Sequence, residues 1–181
     1  GKFEKAEASY RQAIILRPDY VEAHYNLGNA FKELGKLEES EKSYRQAIKL
    51  KPDYAKAYNN LGNVLEHLSR LNEAEASYRK AITLKCDYAD FYANLGNTLR
   101  DQDKLLEAKL NYKKAIEIKG DSKKFNHIFD ALTGKTTNFA PREYVEGLFD
   151  NYAINFENSL VNKLEYKIPN KITEIFINKS S

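Results

Sequence analysis

Six asparagines recur in pairs: Asn26 with Asn29, Asn60 with Asn63, and Asn94 with Asn97. Members of a pair are three residues apart, and each pair follows the last by 34 residues. On a helix, residues three apart lie one turn from each other on the same face. A carboxamide offers two donor hydrogens and an acceptor oxygen. A ladder of such groups can grip the main chain of an extended peptide without reading its side chains. Tyr25, Asn59 and Arg100 fall on the same turns and complete the candidate partner-binding set. The asparagines could instead serve hydrogen bonding inside the scaffold, and the sequence leaves both readings open.

No other group of residues has the composition of a reactive site. The single cysteine, Cys86, excludes an intrachain disulfide and a cysteine-rich zinc site. His24, His67 and His127 are scattered, and no second metal ligand lies at helical spacing from His24. Gly134-Lys135-Thr136 mimics the end of a phosphate-binding loop, but Phe129 occupies the place of its first glycine. Asp150 and Glu157 have no nucleophile or metal set beside them. Asn178-Lys179-Ser180 spells a glycosylation sequon, and no basic-then-apolar secretory leader accompanies it. The expectation is therefore a chain without catalytic residues, metal or cofactor.

Partners can be narrowed in the same way. A net charge of +3, from 29 basic and 26 acidic residues, is too balanced to argue for nucleic acid. The 13 tyrosines invite base stacking, but no basic stripe interleaves with them. The mean hydropathy is −0.68, and no run approaches the ~18 apolar residues of a membrane span. The expected partner is a protein or an extended peptide, with no nucleic acid, no membrane and a cytoplasmic location.

The elements that must carry these residues follow from the 34-residue step. Tyr10, Tyr44, Tyr78 and Tyr112 keep it, as do Ala13, Ala47, Ala81 and Ala115, and the glycines Gly28, Gly62 and Gly96. Each unit reads as two helices. In the first full unit, Ala23, Leu27, Ala30, Phe31 and Leu34 have helical spacing over 21–34, and Gly35 breaks the helix. Tyr44, Ala47, Ile48 and Leu50 continue the pattern over 38–50, and Pro52 stops it. Asp53 stands where it could cap the next helix, and Asp19 with Glu22 has the spacing of a capping box. Gly28 and Ala47 would let two backbones approach, with Leu27, Phe31 and Tyr44 filling the space around them. One such hairpin cannot bury its apolar side alone, so neighbours must stack.

This pattern resembles the tetratricopeptide repeat. The unit 21–54 carries it on Leu27-Gly28, Phe31, Ser40, Tyr44, Ala47 and Pro52, with His24 at the first aromatic site. The unit 55–88 uses Tyr58, Leu61-Gly62, Leu65, Ala74, Tyr78, Ala81 and Cys86. The unit 89–122 uses Tyr92, Leu95-Gly96, Leu99, Ala108, Tyr112, Ala115 and Gly120. Residues 1–20 match only the second helix of an incomplete unit, so the native protein is expected to extend upstream of Gly1, and an uncovered repeat end could drive self-association. The resemblance implies an all-α, right-handed solenoid whose first helices line a concave face. The asparagine ladder looks like that of the superhelix in O-linked N-acetylglucosamine transferases, where it would hold an extended peptide. A carboxylate clamp like that of chaperone-binding repeats would need more cations than Lys32, Lys56 and Arg100 supply.

The period fails after Gly120. Residues 123–134 read as a capping helix through Phe125, Ile128, Phe129 and Leu132, ended by Gly134. Residues 135–181 read as a helical linker. The run from His127 through Ala131-Leu132-Thr133-Gly134, Ala140-Pro141, Leu148-Phe149-Asp150, Tyr152-Ala153 and Phe156 to Pro169 is similar to the segment that precedes the S-adenosylmethionine-dependent methyltransferase domain of bacterial repeat proteins. That resemblance implies a substrate-recruiting front part of such an enzyme. The eight glycines include no Gly-x-Gly, so the nucleotide-binding loop is absent from this chain.

Overall fold

The computed structural model of the chain describes residues 1–120 and 122–134. The expected linker over 135–181, with Asp150, Tyr152, Phe156 and Glu157, lies outside the described residues. Among the described residues there are eight α-helices and no strand: α1 (Lys2–Leu16), α2 (Val21–Glu33), α3 (Leu37–Leu50), α4 (Ala55–His67), α5 (Leu71–Leu84), α6 (Ala89–Asp101), α7 (Leu105–Lys119) and α8 (Lys123–Leu132). Each helix packs on the next in sequence, and α4 also touches both α2 and α6. The result is an all-α solenoid of helical hairpins.

The hairpins close on three tyrosines. Tyr44, Tyr78 and Tyr112 have no exposed surface. Each ring lies against the glycine of the preceding helix. A Cβ built on Gly28, Gly62 or Gly96 would fall 2.7, 2.6 or 3.1 Å from the ring of Tyr44, Tyr78 or Tyr112. The glycines are thus needed to seat a ring, where the sequence suggested an approach of backbones. Burying each ring contributes on the order of 2 kcal/mol. In the first full repeat Ser40 Oγ also donates to the carbonyl of Gly28 at 2.7 Å. Between repeats, Phe91 packs on Ala55 and Ala81 and stacks on Tyr88, with ring centroids 4.9 Å apart.

Two kinds of turn recur. Within a repeat the first helix ends on a left-handed residue: Gly35 (φ 70°), Ser69 (φ 60°) and Asp103 (φ 62°). The following N–H reaches back to the helix, as Lys36 N to Phe31 O at 2.9 Å and Arg70 N to Leu65 O at 2.8 Å. This is the Schellman termination, which satisfies carbonyls the helix leaves open. Between repeats the expected aspartate caps do not form. Tyr20 and Tyr54 hold the N-cap positions of α2 and α4, and neither helix has a side-chain cap bond. Asp19 and Asp53 stand one residue too early, since a capping oxygen reaches the N–H two or three residues ahead only from the N-cap itself. A cation over an aromatic ring marks the same turns. Arg17 lies 3.7 Å from the Tyr20 ring centre, Lys51 5.3 Å from Tyr54 and Lys85 4.7 Å from Tyr88.

The second helices carry a ladder of ion pairs. Glu7 accepts from Arg11 at 2.9 Å and from Lys36 of the next repeat at 2.8 Å. Glu41 repeats this with Arg45 (2.8 Å) and Arg70 (2.7 Å), and Glu75 with Arg79 (2.8 Å) and Lys104 (2.8 Å). Lys109 stands where the next carboxylate of the series would be. No described helix is long and apolar enough to cross a membrane.

Candidate peptide-binding face

Helices α2, α4 and α6 present one shared face, and the asparagine pairs bring it together. Asn29 Oδ1 accepts from the Tyr44 hydroxyl at 2.7 Å and from Asn60 Nδ2 at 3.0 Å. Asn60 Nδ2 also donates to the Tyr25 hydroxyl at 3.0 Å. One repeat on, Asn63 Oδ1 accepts from Tyr78 at 2.7 Å and from Asn94 Nδ2 at 3.2 Å. Asn94 Nδ2 donates as well to Asn59 Oδ1 at 3.0 Å, and Asn59 Nδ2 to Asn60 Oδ1 at 3.2 Å. Asn97 accepts from the Tyr112 hydroxyl. The ladder is therefore a bonded network, and Asn59 is buried within it at 8% exposure.

The network fixes how the remaining groups are spent. The oxygens of Asn29 and Asn63 each accept from a tyrosine of their own repeat and an amide of the next, and that of Asn97 accepts from Tyr112, so in all three residues the oxygen is taken. Their amide nitrogens are left over. Asn29 Nδ2 makes only a long contact of 3.5 Å with Asn26 Oδ1, and those of Asn63 and Asn97 meet no partner among the described residues. A donor is thus offered once per repeat. Tyr25 is partly buried between Tyr54 and Tyr44, with ring centres 4.9 and 5.8 Å away. Arg100 forms an ion pair with Asp101 at 2.8 Å. His24 is buried, and its Nε2 lies 2.8 Å from the carbonyl of Pro18, a packing role.

Sequence reasoning missed two features here. It read the tyrosines as core filler and overlooked their hydroxyls, although each tyrosine follows its asparagine by 15 residues. It also took Glu66 only as one of several acidic residues lining the face and missed its setting. That carboxyl takes a hydrogen bond from Tyr78 at 3.0 Å. Burial pushes its pKa up to about 7, against the opposing pull of the Tyr78 bond; Asp101 adds to the rise and Arg100 reduces it. Burial also lowers the pKa of the adjacent His67, with Lys32 acting in the same direction. No group of three or more metal-ligating side chains occurs among the described residues.

The TPR repeat family matches residues 1–35 and 28–69, and the tetratricopeptide repeat family matches 55–85 and again 89–122. The chain belongs to the tetratricopeptide-repeat family. No curated protein matches it in sequence. Among solved structures, MamA superposes with a TM-score of 0.70 at 22% identity, covering 92% of this chain and 93% of its own. A thermophilic TPR protein of Thermus thermophilus gives 0.65 at 22% identity over 74% of each chain. The first TPR of Spaghetti, solved bound to an HSP90 peptide, gives 0.61 at 20% identity, covering 63% of this chain and 90% of its own. At these identities the likeness is one of fold.

Proposed function

We propose that this tetratricopeptide-repeat chain is a protein-interaction module that holds an extended peptide segment of its partner on the α2–α4–α6 face. The observation that carries the reading is the spare amide donor of each asparagine whose oxygen a tyrosine has already claimed. Donors repeated at one spacing suit the carbonyls of a main chain, which recur whatever the side chains are. The peptide-bound Spaghetti repeat domain supports the same use of the fold. The face would serve equally as the substrate-recruiting front of an S-adenosylmethionine-dependent methyltransferase, the reading that the resemblance of residues 127–169 supports. On that reading the present chain gives no calorimetric signal with S-adenosylmethionine.

The test is selection of random linear peptides on the immobilised chain, repeated with Asn63→Ala and Asn97→Ala combined. Peptides captured by the wild type should be lost from the double variant while its thermal melt remains cooperative. Undiminished capture by a folded double variant overturns the proposal. Each substitution also removes a network bond, costing about 1 kcal/mol, so the melt is measured alongside.

A further inference from the structure

The repeats supply an internal control for charge on the candidate face. Lys32, Glu66 and Arg100 occupy one register position, and Glu33, His67 and Asp101 the next. In the first repeat Lys32 pairs with Glu33 at 3.2 Å, and in the third Arg100 pairs with Asp101. Both outer repeats thus neutralise themselves. In the middle repeat the acid is Glu66 and its neighbour is His67, with which it forms no ion pair. Glu66 is partly buried, and among the described residues no cation bonds to it. Its hydrogen-bond partner among the described residues is the Tyr78 hydroxyl, whose single proton is also claimed by Asn63 at the shorter distance of 2.7 Å. A protonated Glu66 resolves that competition, because it can donate to Tyr78 while Tyr78 donates to Asn63. An ionised Glu66 is left short of a donor.

We propose that Glu66 is the docking carboxylate for a lysine or arginine side chain of the bound peptide. The inference rests on the reading of the α2–α4–α6 face as peptide-binding and adds the partner's charge. An incoming ammonium or guanidinium supplies the donors that an ionised Glu66 lacks. Binding of the cation and loss of the carboxyl proton are then one event. The groups facing Glu66 are His67 on α4, Tyr78 on α5, Arg100 and Asp101 on α6, with Lys32 of α2 acting on His67. Tyr78 stays protonated, since burial and Glu66 both raise its pKa. Arg100 forms an ion pair with Asp101. Glu66 is the carboxylate that a peptide cation would meet, and affinity for a cationic peptide rises as pH passes upward through 7.

The probes are three blocked Ala/Ser peptides that differ only at a central residue, which is lysine, norleucine or glutamate. Binding to the full chain is followed by fluorescence anisotropy at about pH 8 and about pH 6. The lysine peptide should bind about ten-fold tighter than the norleucine peptide at the higher pH, and the glutamate peptide weakest. The preference should shrink at the lower pH and vanish in Glu66→Gln, whose uncharged side chain keeps the shape of the site. His67→Gln should leave the pH dependence in place. Equal binding of all three peptides, or a lysine preference that survives Glu66→Gln, overturns the inference while leaving the peptide-binding face standing. No binding of any peptide overturns it too; the face itself is then judged by the library selection on Asn63 and Asn97.

Discussion

On the face shared by α2, α4 and α6 the side chains that donate from one repeat to the next are neutral, partly buried carboxamides. On α3, α5 and α7 the linking groups are charged and long, with exposed arginine heads meeting carboxylates such as Glu41, which is only 14% exposed. Both sets link one repeat to the next, as Asn60 does to Asn29 and Arg70 does to Glu41. They differ in what a lost bond costs. A buried carboxamide deprived of its partner keeps its full desolvation penalty, whereas an exposed arginine head turns to water. The inner network should therefore hold geometry, and the outer ladder should tune solubility and salt response.

The sharpest way to break that contrast is at the floor of the inner network. Gly62→Ala drives a methyl to 2.6 Å from the Tyr78 ring and should cost about 3 kcal/mol in urea unfolding, from overpacking. Gly96→Ala, at 3.1 Å, should cost less. Equal and small losses would show that the tyrosine seat is adaptable. Next in size is Glu66→Gln. Its folded pKa of about 7 lies above the ordinary 4.5, so the carboxyl costs nothing below about pH 4.5 and its full penalty above pH 7. The glutamine variant should therefore match wild type near the acid end and exceed it by on the order of 2 kcal/mol at about pH 8. A gain that is constant across pH would place the effect elsewhere. The smallest effect belongs to the outer ladder. Glu41→Gln removes an acceptor shared by Arg45 and Arg70, and should lower stability by under about 1 kcal/mol. That loss should shrink in about 1 M salt, where the exposed Arg45 and Arg70 head groups are screened. A salt-independent loss would make the two surfaces alike.

The solenoid was legible because one spacing governs both its apolar positions and its breaks. Leu27, Phe31 and Tyr44 keep helical order inside a unit, and Gly28 and Ala47 return with the 34-residue step. What escaped was the position of single atoms. Asp19 and Asp53 are cap-forming residue types, but the turn through Pro18 and Pro52 delivers Tyr20 and Tyr54 to the cap position instead. The left-handed turns at Ser69 and Asp103 carry no glycine, so only the alignment with Gly35 betrays them. At the site, the asparagines were found from their recurrence. Their internal bonding was not, because Asn63 meets Tyr78 and Asn94 across separate helices. Glu66 was seen as one of several acidic lining residues. Its isolation shows only once Lys32 and Arg100 are known to be spoken for.

The bonds between repeats on the inner face all run one way. The nitrogen of Asn60 reaches back to Asn29 and Tyr25, and the nitrogen of Asn94 back to Asn59 and Asn63. Each junction spends the later repeat's amide on the earlier repeat's oxygen. The surface is therefore vectorial, with its head distinguishable from its tail. A polypeptide is vectorial too, its carbonyls and amides alternating in a fixed sense. Two such strands can lie alongside each other parallel or antiparallel, and these arrangements meet different groups at every step. A peptide and its reversed sequence are therefore different ligands for this track.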